Sequence, residues 1–126
     1  MKSFIYKWLP IFFSCHCRKD RSFFYKGQQF PICARCTGEL AGIMIAIPVY
    51  FLISIPLPLC LILLVPCIVD GTLQLKTAYE SHNIKRFITG LLFGFAMMIL
   101  IFMSFEYVYH MGYEYGLSLN IIREHF

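Results

Sequence analysis

The sequence predicts an all-α membrane protein that has three transmembrane helices and an N-terminal, Cys/His-rich cytoplasmic segment. The chain has 126 residues, of which 59% are hydrophobic and 14% charged, and its mean hydropathy is +0.67. Soluble domains carry about 25% charged residues, and so short a chain cannot bury this much apolar surface in a core of its own. The lipid bilayer is therefore the first partner that the sequence predicts.

The first 37 residues are expected to form an interfacial and Cys/His-rich segment. Lys7 interrupts the first apolar run, and no small-residue cleavage site follows it, so a signal peptide is not expected. Trp8, Phe12 and Phe13 suit the headgroup region of a membrane, where aromatic side chains concentrate. A short helix that packs against the bundle is the alternative.

Three apolar segments follow, at residues 38–55, 57–75 and 87–109. Each approaches the ~20 residues that a helix needs to cross ~30 Å of hydrocarbon. We therefore expect a three-helix transmembrane bundle over residues 38–110 and a short extracytoplasmic tail over residues 111–126.

Basic residues are distributed unequally about these segments. Ten of the eleven Lys and Arg residues precede the first segment or lie between the second and the third, and only Arg123 follows the third. Loops rich in Lys and Arg remain in the cytoplasm. We expect a multi-pass protein of the cytoplasmic membrane with its N-terminus in the cytoplasm. Topology accounts for the positive charge, so nucleic acid is not an expected partner.

Two glycine pairs predict close helix packing. Gly38 and Gly42 open the first span, and Gly90 and Gly94 open the third, each as a small-xxx-small pattern. We favour a contact between the first and third spans of one chain. The alternative is a homo-oligomer in which two copies meet through these residues.

Four of the six cysteines lie in one polar stretch before the first span. Cys15-His16-Cys17 is separated by 15 residues from Cys33-Ala-Arg-Cys36, a spacing within the range found between the two halves of zinc sites. Four ligands close a tetrahedral site, and five candidates are present. The set is either Cys15, His16, Cys33 and Cys36 or the four cysteines together.

Two other interpretations of the thiols remain open. A C-x-x-C before a helix can be a redox dithiol, because the helix dipole and Arg35 favour a thiolate there. The cysteines can also be inert. A cytoplasmic position keeps thiols reduced and favours a bound metal. We expect zinc, and the same ligands suit other thiophilic metals as well.

Polar side chains gather at the expected cytoplasmic ends of the spans. We expect a pocket there for an anionic lipid or another phosphate-bearing ligand, because the planar guanidinium group of arginine meets two oxygens at once. Asp70 and Arg86 are also the candidate catalytic residues. The expected ligand-binding residues are Arg21, Ser22, Arg35, Asp70, Gln74, Asn83 and Arg86.

An ordered series of motifs resembles a family of small bacterial membrane proteins of unknown function whose signature is a C-A-R-C-T-G box. The motifs are C-H at 15–16, R-S-F at 21–23, P-I-C-A-R-C-T-G at 31–38, D-G-T-L-Q at 70–74 and N-I-K-R-F-I-T-G at 83–90. The C-H pair and the C-x-x-C are constant in the family pattern, whereas a cysteine at position 17 is not. The resemblance therefore implies Cys15, His16, Cys33 and Cys36 as the ligands, and it implies no activity.

The function that we expect is the binding of a metal ion, with zinc as the expected metal. The ion would hold the N-terminal segment at the end of the bundle, beside the anionic-ligand pocket. One alternative is a membrane-embedded zinc-dependent hydrolase in which Asp70 acts as general base. The other is a thiol oxidoreductase that uses Cys33 and Cys36. The sequence alone leaves open whether the protein is an enzyme.

Overall fold

The computed structural model describes residues 1–15, 19–77 and 82–125. A short helix and a β-hairpin precede three long helices. In chain order the elements are α1 (Lys2–Phe12), a 3₁₀ turn (Lys19–Arg21), β1 (Ser22–Tyr25), β2 (Gln28–Cys33), α2 (Ala34–Leu52), α3 (Leu57–Lys76) and α4 (Asn83–His125).

Helices α2, α3 and α4 are each long and apolar enough to cross a membrane. The predicted fold class, a helical membrane protein with three spans, is therefore confirmed. Helix α4 is longer than its predicted span: it has 43 residues. At 1.5 Å per residue it extends about 65 Å, roughly twice the thickness of the hydrocarbon layer. Residues 111–125, which we expected to form a short tail, continue this helix.

The glycine pairs bring α2 and α4 into direct backbone contact. An added Cβ at Gly38 would collide with the carbonyl of Phe87, and one at Gly94 would collide with the carbonyl of Glu39. The predicted contact between the first and third spans is confirmed. These glycines are used within the chain, so they no longer indicate a homo-oligomer. Because Gly42 meets Leu91, one turn beyond Phe87, the two helices run parallel.

Helix α3 runs antiparallel to this pair and completes the bundle. Cys60 of α3, Ala46 of α2 and Ile99 of α4 are fully buried together and form the centre of the core. Asp70, ten residues further along α3, lies beside Arg35 near the start of α2. We call the end of the bundle that holds Arg35 and Asp70 the thiol end, since the cysteines discussed below lie there too.

The hairpin of β1 and β2 was not expected from the sequence. The strands pair antiparallel, with Ser22 opposite Cys33 and Tyr25 opposite Gln28. Between them, Lys26 and Gly27 both have positive φ, at 49° and 77°. A two-residue turn of this kind matches the twist of the flanking strands. The hairpin delivers Cys33 directly to the start of α2.

Candidate metal centre

Three cysteine thiols from different segments converge at the thiol end. Cys15 follows α1, Cys33 ends β2, and Cys36 lies in the first turn of α2. Their sulfur atoms all lie within 4.8 Å of one another. A tetrahedral zinc ion with Zn–S bonds of about 2.3 Å separates its sulfurs by about 3.8 Å. Small side-chain movements would therefore let the three thiols share one ion.

Local hydrogen bonds favour the thiolate form of one member of this cluster, Cys33. The backbone N–H of Cys33 donates to Sγ of Cys15 over 3.2 Å, and the Sγ atoms of Cys33 and Cys36 are 3.3 Å apart. The hydrogen bond from the Cys36 side chain lowers the pKa of Cys33 to about 5, although partial burial acts in the opposite direction. Metals bind cysteine as the thiolate, so a lowered pKa suits a metal ligand.

The predicted fourth ligand, His16, lies outside the described residues, and so does the alternative ligand Cys17. The remaining cysteines of the described chain belong to α3. Cys60 is buried in the core, and Cys67 is half-buried one turn before Asp70. The structure thus separates the thiols into a cluster that can hold a metal and two that pack within the bundle.

A second cluster is centred on Asp70, whose side chain is only 2% exposed. Arg35 Nη2 and Gln74 Nε2 both donate to Asp70 Oδ2, over 2.5 Å and 2.9 Å. Lys85 Nζ lies 3.9 Å from Asp70 Oδ1. Three of the predicted pocket residues therefore meet. The expected pocket did not include Lys85, whose charge served only to predict the topology. Its position beside Arg86 at the start of α4 is the signal that could have indicated it.

The other predicted pocket residues occupy several elements. Ser22 is buried in the hairpin, and its hydroxyl accepts a hydrogen bond from Gln29 Nε2 over 3.2 Å. Arg21 lies 3.8 Å from Asp20 in a partly exposed ion pair. Arg86 is only 6% exposed, and Asn83 begins α4.

Arg35 connects the two clusters. It lies between the cysteines of the C-x-x-C, and its side chain pairs with Asp70 of α3. Its backbone carbonyl occupies the space that a side chain at position 90 would need, so it also contacts α4 at Gly90. The C-x-x-C segment, which joins β2 to the first turn of α2, therefore also contacts α3 and α4.

Comparison with known proteins supports the resemblance. Residues 15–100 match a family model described as "Predicted membrane protein (DUF2085)". An uncharacterized protein of Methanothermobacter thermautotrophicus is 37% identical in an alignment of 95 positions that covers 68% of this chain and 82% of that protein. An uncharacterized protein of Methanocaldococcus jannaschii is 40% identical in an alignment of 103 positions that covers 75% of this chain and 66% of that protein.

No solved structure matches the chain. Both relatives are archaeal, so the family is not confined to bacteria. The family match begins at Cys15 and covers the C-x-x-C and Asp70. The chain therefore belongs to this family of membrane proteins, described as DUF2085.

Proposed function

We propose that the protein holds a thiolate-bound metal ion, zinc in the first instance, at one face of the membrane, and that this ion fixes the N-terminal segment to the mouth of the bundle. The observation that carries the proposal is the convergence of Cys15, Cys33 and Cys36 from three segments. His16 is the fourth ligand that we propose. Four protein ligands close a tetrahedral site, which makes the metal structural.

The arrangement also disfavours the zinc-hydrolase alternative. That reaction needs an open metal position and a carboxylate that can accept a proton from water. Asp70 Oδ2 already accepts hydrogen bonds from Arg35 and Gln74. An ion-pairing role for Asp70 therefore fits these contacts better than catalysis.

Elemental analysis of the detergent-purified protein tests the metal. We expect about one zinc per chain, by the stoichiometry of a single closed site. Cys33→Ser should lose the metal, and Cys36→His should keep it because imidazole is also a zinc ligand. Cys67→Ser is the matched control, since Cys67 lies on α3 outside the cluster. Metal that survives in Cys33→Ser, or wild-type protein that binds none when zinc is supplied, would contradict the proposal.

A redox dithiol is the second candidate, favoured by the 3.3 Å separation of the Cys33 and Cys36 sulfurs. It predicts a metal-free protein in which mild oxidation forms an intramolecular disulfide. Titration of free thiols in the same preparation separates the candidates, because bound zinc shields the cysteines until a chelator is added.

The anionic-ligand pocket is a further proposal. It is supported by the cationic side chains of Arg35 and Lys85, which lie beside Asp70, and by the buried Arg86, which follows Lys85 in the sequence. Inorganic phosphate and phosphatidylglycerol should raise the unfolding temperature more than chloride and phosphatidylcholine do. Lys85→Gln should reduce this effect, and an equal response in Lys85→Gln would contradict the pocket.

We also propose that the thiol end faces the cytoplasm. The support is the distribution of Lys and Arg. Ten of the eleven precede α2, lie in its first turn, or lie where α3 ends and α4 begins. Reduced thiols are stable in that compartment.

A further inference from the structure

We infer that the outer face of α1 is a docking surface for the headgroup layer of an anionic bilayer, on which this helix lies flat. Phe4, Trp8 and Phe12 recur every four residues and so share one face of the helix. Their exposed fractions are 65%, 52% and 86%. Ile11 lies beside them and is exposed as well.

The opposite face of α1 is already occupied by the protein. The hydroxyl of Tyr6 donates to the carbonyl of Gln29 in β2 over 3.1 Å. Leu9 and Pro10 are half-buried. The hairpin therefore fixes which face of α1 points outward, and that face is the aromatic one. A helix with one apolar face and basic residues at its borders is typical of interfacial membrane helices.

The charge of the segment identifies the kind of bilayer. Residues 1–33 contain six Lys and Arg residues and a single acidic residue, Asp20. Lys7 is exposed on α1 within one turn of both Phe4 and Trp8. Each basic residue near an anionic surface contributes about 1 kcal/mol of attraction. Anionic headgroups are therefore the complementary surface.

The thiol cluster places α1 within reach of that surface. Cys15 lies three residues beyond the end of α1, and its sulfur is within 4.8 Å of that of Cys36, in the first turn of a candidate span. Helix α1 has 11 residues. It is about 16 Å long, so its far end cannot lie far from the headgroup layer. The position of α1 beside the headgroup layer follows from this chain geometry and requires no bound metal.

Trp8 is the single tryptophan of the chain, so tryptophan emission, excited at a wavelength that the eight tyrosines do not absorb, reports on α1 alone. The protein is reconstituted into vesicles of phosphatidylglycerol or of phosphatidylcholine, each with or without bromine near the top of the acyl chains. We expect a blue-shifted Trp8 emission and strong quenching by the brominated lipid in phosphatidylglycerol. Quenching should be weaker in phosphatidylcholine.

Two variants sharpen the result. Phe12→Ser should shift the Trp8 emission to longer wavelength and reduce quenching by brominated lipid. Tyr115→Ser removes another exposed aromatic residue, on the distant part of α4, and should change neither. A Trp8 emission that aqueous acrylamide quenches and brominated lipid does not would overturn the inference.

Two further outcomes also count against it. Shielding of Trp8 from both quenchers would mean that a second copy or another protein covers the face. Equal quenching in the two lipids would remove the preference for anionic headgroups. Zinc content is measured on the same samples, so a failure of the metal proposal is distinguished from a failure of this one.

Discussion

At the scale of single residues, Arg35 explains how the polar and thiol clusters are joined. Its neighbours in the C-x-x-C are candidate metal ligands, and its side chain binds the buried carboxylate of Asp70. A buried carboxylate requires a compensating cation, because an isolated charge in a low-dielectric site is very unfavourable. The polar cluster is thus first a stabilising contact between α2 and α3.

Replacing Asp70 by Asn tests that stabilising role. The amide keeps the shape but loses the charge that Arg35 and Lys85 face. We expect a loss of ~1.5–3 kcal/mol in the free energy of unfolding, the range for hydrogen bonds to charged groups. The measurement is unfolding in mixed micelles at rising SDS fraction.

Asp20→Asn is the control for this variant. Asp20 pairs with Arg21 at 3.8 Å on the surface, where its side chain is largely exposed. Exposed pairs contribute about 0–1 kcal/mol, so this change should have little effect. Equal losses in the two variants would show that Asp70 has no special role in stability.

The second prediction at this scale concerns the pH dependence of Cys33. Its pKa is lowered to about 5, chiefly by the hydrogen bond from Cys36, so the thiolate exists above that pH and is lost below it. In the metal-free protein, alkylation of Cys33 by iodoacetamide should stay fast down to about pH 6 and fall through about pH 5.

Cys36→Ala removes the hydrogen-bond donor to Cys33. The fall in the alkylation rate should then move toward the ordinary pKa of a thiol, about 8.5. Mass spectrometry of the labelled peptides gives the rate at each pH. A wild-type transition at the ordinary thiol value would show that the hydrogen bond does not stabilise the thiolate.

At the scale of elements, the parallel contact between α2 and α4 depends on residues without side chains. Gly38, Gly42, Gly90 and Gly94 each face a backbone carbonyl of the other helix. In lipid the hydrophobic effect does not drive helices together, so close van der Waals packing must hold them. The two glycine pairs supply that close approach along the first two turns of the interface.

Gly38→Ala and Gly71→Ala form a matched pair that tests this packing. A methyl group at position 38 would collide with the Phe87 carbonyl, whereas position 71 has open space around it. Overpacking costs ~1–3 kcal/mol, so Gly38→Ala should lower the free energy of unfolding by about that amount. Gly71→Ala should be neutral or stabilising by up to ~1 kcal/mol, because Ala is the better helix former. A similar effect of both changes would contradict the interface.

At the scale of the whole molecule, the orientation in the membrane decides which compartment the metal site and α1 face. We expect Cys33 in intact cells to resist a membrane-impermeant maleimide and to react after the cells are permeabilised and the metal is chelated. A cysteine introduced as Tyr115→Cys, on the exposed far part of α4, should be labelled from outside. The reverse pattern would invert the topology that the basic residues indicate.

The sequence by itself determined the three spans, because hydrophobicity and helix length are local properties that need no knowledge of the chain path. The closeness of the two thiols of the C-x-x-C is also a local property, because residues three positions apart lie close together at the start of any helix. The small-xxx-small pairs also predicted the α2–α4 contact, since only glycine permits so close an approach.

Only the tertiary structure decided which distant residues meet. A hairpin that closes on Lys26 and Gly27 carries Cys33 back to Cys15, and this path could not be read from residue types. Arg35 and Lys85 lie beside Asp70, a pairing that residue types alone did not predict. Long-range pairing depends on the directions of whole elements, and the antiparallel return of α3 is what brings a buried carboxylate to the residue between two cysteines.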